Sequence, residues 1–521
     1  MPEPGKVHQQ RGNRKSARDY TFSPGSMEEI EQFKKLQSNF RGQYEAVFPD
    51  AFAPKTIIIV PSLTLDQEIL CKIKGHVYYE ERMLCMLLLL RMPQTHVIYI
   101  TSVPVDPVIV DYYIHLLPGI TGYHARQRLT LLSCYDYESL SLTQKILQRP
   151  RLIERIRKSI PYGHLAHMAC FNVTPYERTL AVKLGIPIYG CDPDLYGWGT
   201  KSRSRQLFRE CDISLPEGFE DVRDQEEMVE ALADLKKRNP LLEKAVIKMN
   251  DGFSGEGNAV FSYKGSPIET GLRHWIRNQL PKTLKIVASD MDYEQFIGKF
   301  EQMQGIVEEF IEGSNKQSPS VQCRITPLGR VDIISTHDQL LGGESGQVFL
   351  GAYFPASSEY GYEIGAMGRK VSESLRDKGV LGRFSIDFLS VKDDYGWKHY
   401  AIEINLRKGG TTHPYLMLQF LTGGEYDDQK GVFYTANGQP RYYFATDNLY
   451  NERYHGLTPH DLIELAIGNG LHFDATLQEG VMFHLIGALS QFGKLGLVCI
   501  GDNIEKTKNI YRHTVDVLNK L

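Results

Sequence analysis

Asp387, Glu403, Asn405 and Arg407 bring two carboxylates, an amide and a guanidinium into one short stretch of the chain. An all-oxygen set of two acids and an amide suits a hard cation such as magnesium, shared with phosphate oxygens. A guanidinium beside it can grip a phosphoryl group as a fork. The element that must position these groups is legible around them. Phe384, Ile386 and Phe388 alternate with Ser385, Asp387 and Leu389, and Tyr400, Ile402 and Ile404 alternate with Ala401, Glu403 and Asn405. Period-two alternation predicts a two-stranded hairpin with these apolar sets on one face and Asp387, Glu403 and Asn405 on the other. Lys392-Asp393-Asp394-Tyr395-Gly396 supplies the turn. With the loop centred near Tyr395, Asp387 lies about opposite Glu403. Any one of these acids is more simply read as part of a solvated strand face. The E-x-N-x-R run after a strand bearing a lone Asp is a narrower pattern.

Cationic residues that could meet the same phosphates lie upstream. Lys244 to Met249 reads as a strand with Lys248 near its end, running into a glycine-rich loop over 251–258 and a further strand from Ala259. In such a loop Ser254, Gly255, Glu256 and Gly257 let backbone N–H groups approach phosphate oxygens, and Lys248 adds a point charge. The loop lacks the G-K-[ST] that opens a helix in a Walker A motif, and no G-x-G-x-x-G follows an N-terminal strand. Lys201 opens a predicted helix that ends before Ile213-Ser214-Leu215-Pro216. A lone lysine there is ordinarily solvated and gains meaning from its company. A strand with an extended exit covers Gly305 to Gly313, including Glu308, Glu309, Phe310 and Ile311. Three more strands follow, on which Arg324 and Asp338 are placed to face a substrate, and a helix over 362–378 leads back to the hairpin.

The chain has 521 residues and a net charge of −4. That length predicts more than one domain, and near-neutrality gives no reason to expect nucleic acid or a membrane as partner. The eight cysteines are scattered without a C-x-x-C pair, which fits reduced, mostly buried thiols of a cytoplasmic protein. The apolar run from Leu84 to Leu90 lies between Arg82 and Arg91 and is too short to span a bilayer. Residues 1–25 read as a disordered lead without a signal-peptide core. Apolar strands at 56–60, 96–100 and 129–132, separated by helices, predict a parallel sheet covered on both faces, and another strand is expected to end at Gly190. Ser62, Thr101 and Ser102 fall just past strand ends, where such sheets carry ligand loops. His164 and His167 are spaced like one helix face, but core or surface positions suit them better than metal ligation.

The order of entry lysine, lysine-strand, glycine loop, extended linker, acid strand and E-x-N-x-R spans roughly 195–415 and resembles the ATP-grasp superfamily. The run Asn405 to Pro414, with the segments Val481 to Leu489 and Gly493 to Gly496, resembles the pheganomycin-type peptide ligase group of carboxylate–amine ligases. The resemblance implies an α/β (α+β) chain: an N-terminal pre-ATP-grasp domain with a parallel sheet at 26–194, an ATP-grasp domain of two lobes at 195–415 hinged near 308–313, and a small C-terminal α/β cap at 416–521. It implies ATP and Mg2+ (with Mn2+ as a substitute), held by Asp387, Glu403 and Asn405. Lys201, Lys248 and Ser254 to Gly257 would lie on the phosphates, Glu308 to Ile311 at the adenine edge, and Arg407 on the transferring phosphoryl. Glu312 or Asn315 would stand in for the usual ribose acid. The implied reaction joins a small-molecule or peptide carboxylate to an amine through an acyl phosphate, releasing ADP and phosphate. Homodimers are common in the superfamily. The alternatives are an ATP-grasp kinase that stops at phosphorylation and a nucleotide-binding regulator without turnover.

Overall fold

The computed structural model describes residues 22–65, 67–252, 257–267, 270–288, 290–342 and 348–520. Most of the expected N-terminal lead therefore lies outside the described residues, as do Ser254, Gly255 and Glu256. Among the described residues no helix is long and apolar enough to cross a membrane, and the eight cysteines are all free thiols.

The N-terminal third builds a four-stranded parallel sheet in the order Leu129–Ser133, Thr95–Thr101, Lys55–Val60, Ala166–Cys170. Its central strands carry unbroken apolar runs, Ile57 to Val60 and Val97 to Ile100, because both faces are covered. Ile58, Val60, Ile98 and Ile100 pack on the side of the helices Met27–Val47, Leu142–Leu147 and Pro175–Leu184. Ile57, Ile59, Val97 and Tyr99 pack on the other side against the leucine run, which forms a 3-10 helix over His76–Arg91. The strand expected to end at Gly190 is reduced to one parallel bridge between Met168 and Ile188. Pro187 beside it has no N–H to extend the ladder.

Two antiparallel sheets follow. The smaller has five strands in the order Gly218–Val222, Gly305–Glu309, Lys244–Met249, Asn258–Ser262, Lys285–Ile286, and the helices Gln225–Arg238, Leu272–Thr283 and Tyr293–Met303 cover one face of it. The larger has ten strands and begins with the predicted hairpin, Gly396–Asn405 on Gly382–Asp393, continuing through Lys316–Ile325, Val331–Gly342 and Val348–Phe354. It then runs without a break into Pro440–Tyr450, which pairs with Val348–Phe354 on one side and with Lys494–Gly501 on the other. The C-terminal strands thus extend the sheet that carries the hairpin. Their apolar residues Val481, Phe483, Leu497 and Val498 join one continuous core with Leu84, Leu87 and Val97.

His164 and His167 do not share a helix face. His164 lies in a 3-10 turn at Gly163–Leu165, and His167 lies in the strand Ala166–Cys170. The His167 ring is buried, with its centroid 5.6 Å from that of Phe40 and 5.1 Å from that of Phe48. Burial, then the charge of Lys55, lowers its pKa to about 3. In the unfolded chain the group titrates near 6.5, so between these values the unfolded state binds more protons and folding stability falls as the pH drops. From about pH 6.5 to about pH 5 this histidine alone removes about 2 kcal/mol. His167→Phe should flatten the acid side of a urea-midpoint-versus-pH curve by that amount, and an unchanged slope would place the titration elsewhere.

Candidate active site

A cavity of about 650 Å³ opens between the two antiparallel sheets and is closed at one end by the N-terminal layer. The five-stranded sheet contributes Val246, Lys248, Gly252, Gly257, Asn258 and Glu308 to Ile311. The ten-stranded sheet contributes Ser320, Gln339, Asp387, Leu389, Ile402, Glu403 and Asn405, with Arg407 just beyond it, and Lys201 reaches in from its helix. Lys201, Lys248, Gly257, Glu308 to Ile311, Asp387, Glu403, Asn405 and Arg407 therefore line the same space.

The hairpin reaches this arrangement through a bulge. Its turn pairs Asp393 with Gly396, and regular pairing continues to Phe388 with Ala401. An unbroken ladder would then oppose Asp387 to Ile402 and turn Glu403 into the core. Instead the register shifts between Asp387 and Phe388, Ile402 is skipped, and Asp387 pairs with Glu403. The predicted alternation along the second strand is corrected by the same bulge. Ala401 and Ile404 are the core residues, packed with Phe384, Ile386 and Phe388, whereas Ile402 lines the cavity.

The two acids are held by amides. Gln339 Nε2 donates to Asp387 Oδ1 at 3.0 Å, and Asn405 Nδ2 donates to Asp387 Oδ2 at 3.0 Å and Glu403 Oε1 at 3.3 Å. Burial and the repulsion of Glu403 push the Asp387 carboxyl up. Burial acts on Glu403 the same way, but the charges of Lys201 and Lys248 outweigh it and hold that carboxyl down. The oxygen and the nitrogen of a side-chain amide exchange places by a simple rotation, which would turn Asn405 Oδ1 towards the carboxylates. Asp387, Glu403 and Asn405 would then offer oxygen alone, a donor set that fits magnesium.

The cations are equally fixed. Lys201 Nζ lies 3.3 Å from Glu403 Oε2. Asn250, just past the strand Lys244–Met249, anchors the Lys201 helix: its carbonyl accepts from Lys201 N at 3.3 Å, and its Oδ1 accepts from Ser202 N at 3.0 Å. Lys248 Nζ lies 2.6 Å from Glu308 Oε1. Glu308 is buried, and its second oxygen accepts from Arg205 Nη1 at 2.5 Å. Its carboxylate is thus committed to Lys248 and Arg205. Phe310 and Ile311 remain at the cavity rim, where Lys316 Nζ donates to Ile311 O at 2.5 Å. Glu312 is exposed and paired with Lys244 at 3.1 Å.

Several expected residues lie elsewhere. Arg324 pairs with Asp332 at 2.7 Å, and Asp338 accepts from Tyr360 Oη at 2.6 Å and Ser357 N at 2.9 Å; neither lines the cavity. Ser62 and Ser102 are buried and satisfied by Thr64 and Glu80, and Thr101 donates to Val103 O. None of the three lines the cavity. Conversely, Tyr79, Arg82, Phe171, Asp447 and Asn448 line the cavity without having been singled out. Arg82 and Asp447 meet at 3.3 Å. They come from opposite ends of the chain, and no local pattern marks either.

This architecture, with a lysine-bearing sheet facing an acid-bearing one across a cavity, is that of an ATP-grasp domain. A family model described as IQCH-like, ATP-grasp matches residues 194–264 and 274–429, and a PGM1 C-terminal domain model matches residues 461–514. The chain is similar to L-propargylglycine--L-glutamate ligase of Streptantibioticus cattleyicolor, 29% identical over 82% of this chain and 86% of that protein. It is also similar to IQ motif-containing protein H of Danio rerio, 24% identical over 68% of this chain but only 38% of that protein. Among solved structures, the biotin carboxylase of Campylobacter jejuni superposes with a TM-score of 0.53 at 13% identity, over 89% of this chain and 92% of that one.

Arg205 is fully buried between Glu308 and Glu220, each at 2.5 Å. Replacing it with methionine strands a buried carboxylate and should cost about 3–5 kcal/mol in urea denaturation. Adding Glu308→Gln to Arg205→Met should recover part of that loss. If the double variant is as unstable as the sum of the singles, the stranded charge is not what the arginine relieves.

Proposed function

We propose that the chain is an ATP-dependent carboxylate–amine ligase, and one observation carries the reading. Asp387, Glu403, Asn405 and Arg407 line one cavity together with Lys201 and Lys248, and Lys201 Nζ stands 3.3 Å from Glu403 Oε2. This set matches the charge of a triphosphate and a divalent cation. The likeness to a protein named as an amino-acid ligase supports amino acids or short peptides as the class of acid and amine.

In the first step a substrate carboxylate oxygen attacks the γ-phosphorus, and the bond to the β–γ bridging oxygen breaks, releasing ADP. In the second the amine nitrogen attacks the acyl carbon, phosphate departs with the bonding electrons, and the nitrogen gives up a proton to leave an amide. The protein's task is orientation and charge compensation. Lys248, braced by Glu308 and Arg205, would sit on the α and β phosphates, with Lys201 beside it. Arg407 would hold the transferring phosphoryl in both steps. Asp387, Glu403 and Asn405 would hold magnesium, with manganese as a substitute, and that ion would neutralise charge on the phosphate oxygens. Gly252 and Gly257 flank the loop that would complete the phosphate cradle, and Phe310 and Ile311 offer an apolar edge for the base. The free thiols suit a reducing, cytoplasmic setting.

The deciding experiment measures magnesium-dependent ADP and phosphate release over a panel of amino acids and short peptides, singly and in pairs. Release that requires both an acid and an amine, with a product lighter than their sum by one water, is the expected result. Release of ADP with an acid alone and a stable phosphorylated product would make the protein a kinase, and silence with nucleotide still bound would make it a regulator. Glu403→Ala should abolish magnesium-dependent turnover without unfolding the chain, and Arg407→Ala should lower kcat by about 10²–10³-fold. Full activity in either variant would overturn its assigned role.

A further inference from the structure

Behind the wall of the cavity lies a second cluster that the ligase reading leaves unused. His413 stands in the first turn of the helix Thr412–Thr422, Asp447 in the strand Pro440–Tyr450, and His484 at the end of the strand Gly480–His484. His413 Nε2 lies 3.1 Å from Asp447 Oδ1, His484 Nε2 lies 2.7 Å from the same oxygen, and the two Nε2 atoms are 3.0 Å apart. All three side chains are buried, and neither Nδ1 has a hydrogen-bond partner.

A neutral imidazole carries one N–H. With both protons on Nε2, two N–H dipoles of the same sign crowd towards one oxygen. With either proton on Nδ1, that N–H is buried without an acceptor and an Nε2 lone pair faces the Asp447 oxygen. With both protons on Nδ1 the two Nε2 lone pairs and the Asp447 oxygen repel one another in a low-dielectric interior, and it is this repulsion that a cation relieves, the Nδ1–H groups staying unpaired. A cation at the centre of the triangle converts the three converging lone pairs into ligands. We propose that His413, Asp447 and His484 form a binding site for a divalent transition-metal cation of the zinc class, separate from the magnesium set of the ligase reading. Two imidazoles and one carboxylate are a borderline donor set that selects such ions over magnesium. Tetrahedral bonds of about 2.0–2.1 Å place ligand atoms roughly 3.3 Å apart, so the triangle has only to open by a few tenths of an ångström. Three protein ligands leave a position for water.

The surroundings are shaped for the histidines. A Cβ at Gly496 would lie 2.2 Å from His484 Nε2, so a side chain there would evict the ring. Asp447 Oδ2 faces Arg82 Nη1 at 3.3 Å, and the Arg82 guanidinium lies over the rings of Tyr79, at 4.8 Å, and Phe171, at 4.5 Å. An ion on Asp447 would therefore fix Arg82 on the cavity wall and tie the C-terminal strands to it. The missing acceptors at Nδ1 make the site about 10–100-fold weaker than one with full outer support, so it should be tested by titration and not only by what co-purifies.

The full chain would be stripped with a chelator and dialysed against zinc with excess magnesium present to occupy the oxygen site, then assayed for metal. Cobalt(II) would be titrated in parallel and its visible absorption recorded. The expected result is stoichiometric zinc, intense cobalt bands of a tetrahedral site, and loss of both in His484→Gln and His413→Gln. Substoichiometric zinc, or absence of the cobalt bands in the unaltered protein, would overturn the site whether or not the variants fold. Metal uptake undiminished in folded His484→Gln would overturn it as well. None of these readouts depends on ligase activity, so the two readings stand or fall separately.

Discussion

The cavity rests on a buried carboxylate shared by two cations. Glu308 faces Lys248 on one oxygen and Arg205 on the other. Removing three charged groups from water is costly, and mutual attraction offsets that cost only when the geometry is well satisfied. Arg205 meets the condition by also donating to Pro216 O at 2.8 Å and to Glu220. The triad therefore joins the helix Lys201–Glu210, the loop that follows it and two strands of the five-stranded sheet into one rigid unit. A hydrophobic replacement would pack as well, but it would leave Lys248 with no reason to point into the cavity. The network fixes where one ammonium group stands.

The opposite wall is fixed by different means. Asn405 is held in the hairpin, and three residues later Lys408 is anchored on the N-terminal sheet, its backbone N donating to Phe171 O at 3.0 Å and its Nζ to Cys170 O. Burial there lowers the Lys408 ammonium to about 8. Arg407 is thus held on both sides, by an antiparallel ladder before it and by a parallel sheet after it. The end of the strand Ala166–Cys170 thus serves as the seat for the loop that carries Arg407.

What the sequence disclosed and what it hid follow from the range of the forces involved. Side-chain alternation and turn residues are local, so the hairpin, the parallel sheet and the lysine-bearing strand could be read directly. The facing of Asp387 and Glu403 could be anticipated, but not its cause: a bulge at Ile402 is one skipped residue with no composition of its own. The pairing of Arg205 with Glu308 was hidden because a buried ion pair across distant segments has no local signature, and Arg205 taken alone reads as a surface charge. The same holds for Arg82 and Asp447.

The C-terminal strands bear on the site in a way that a separate cap could not. Pro440–Tyr450 is hydrogen-bonded into the same sheet as the hairpin, and its Asp447 and Asn448 reach the cavity. Asn448 Nδ2 donates to Phe349 O at 2.9 Å and Thr446 Oγ1 to Leu350 O at 2.5 Å, so this strand also fixes the edge of the cavity at Phe349. The Phe349 ring in turn presses on Gly410, where a Cβ would lie 2.9 Å from it. Gly410 is therefore explained by contact with Phe349: a side chain there would have to displace the ring that the strand Pro440–Tyr450 helps to hold at the cavity edge.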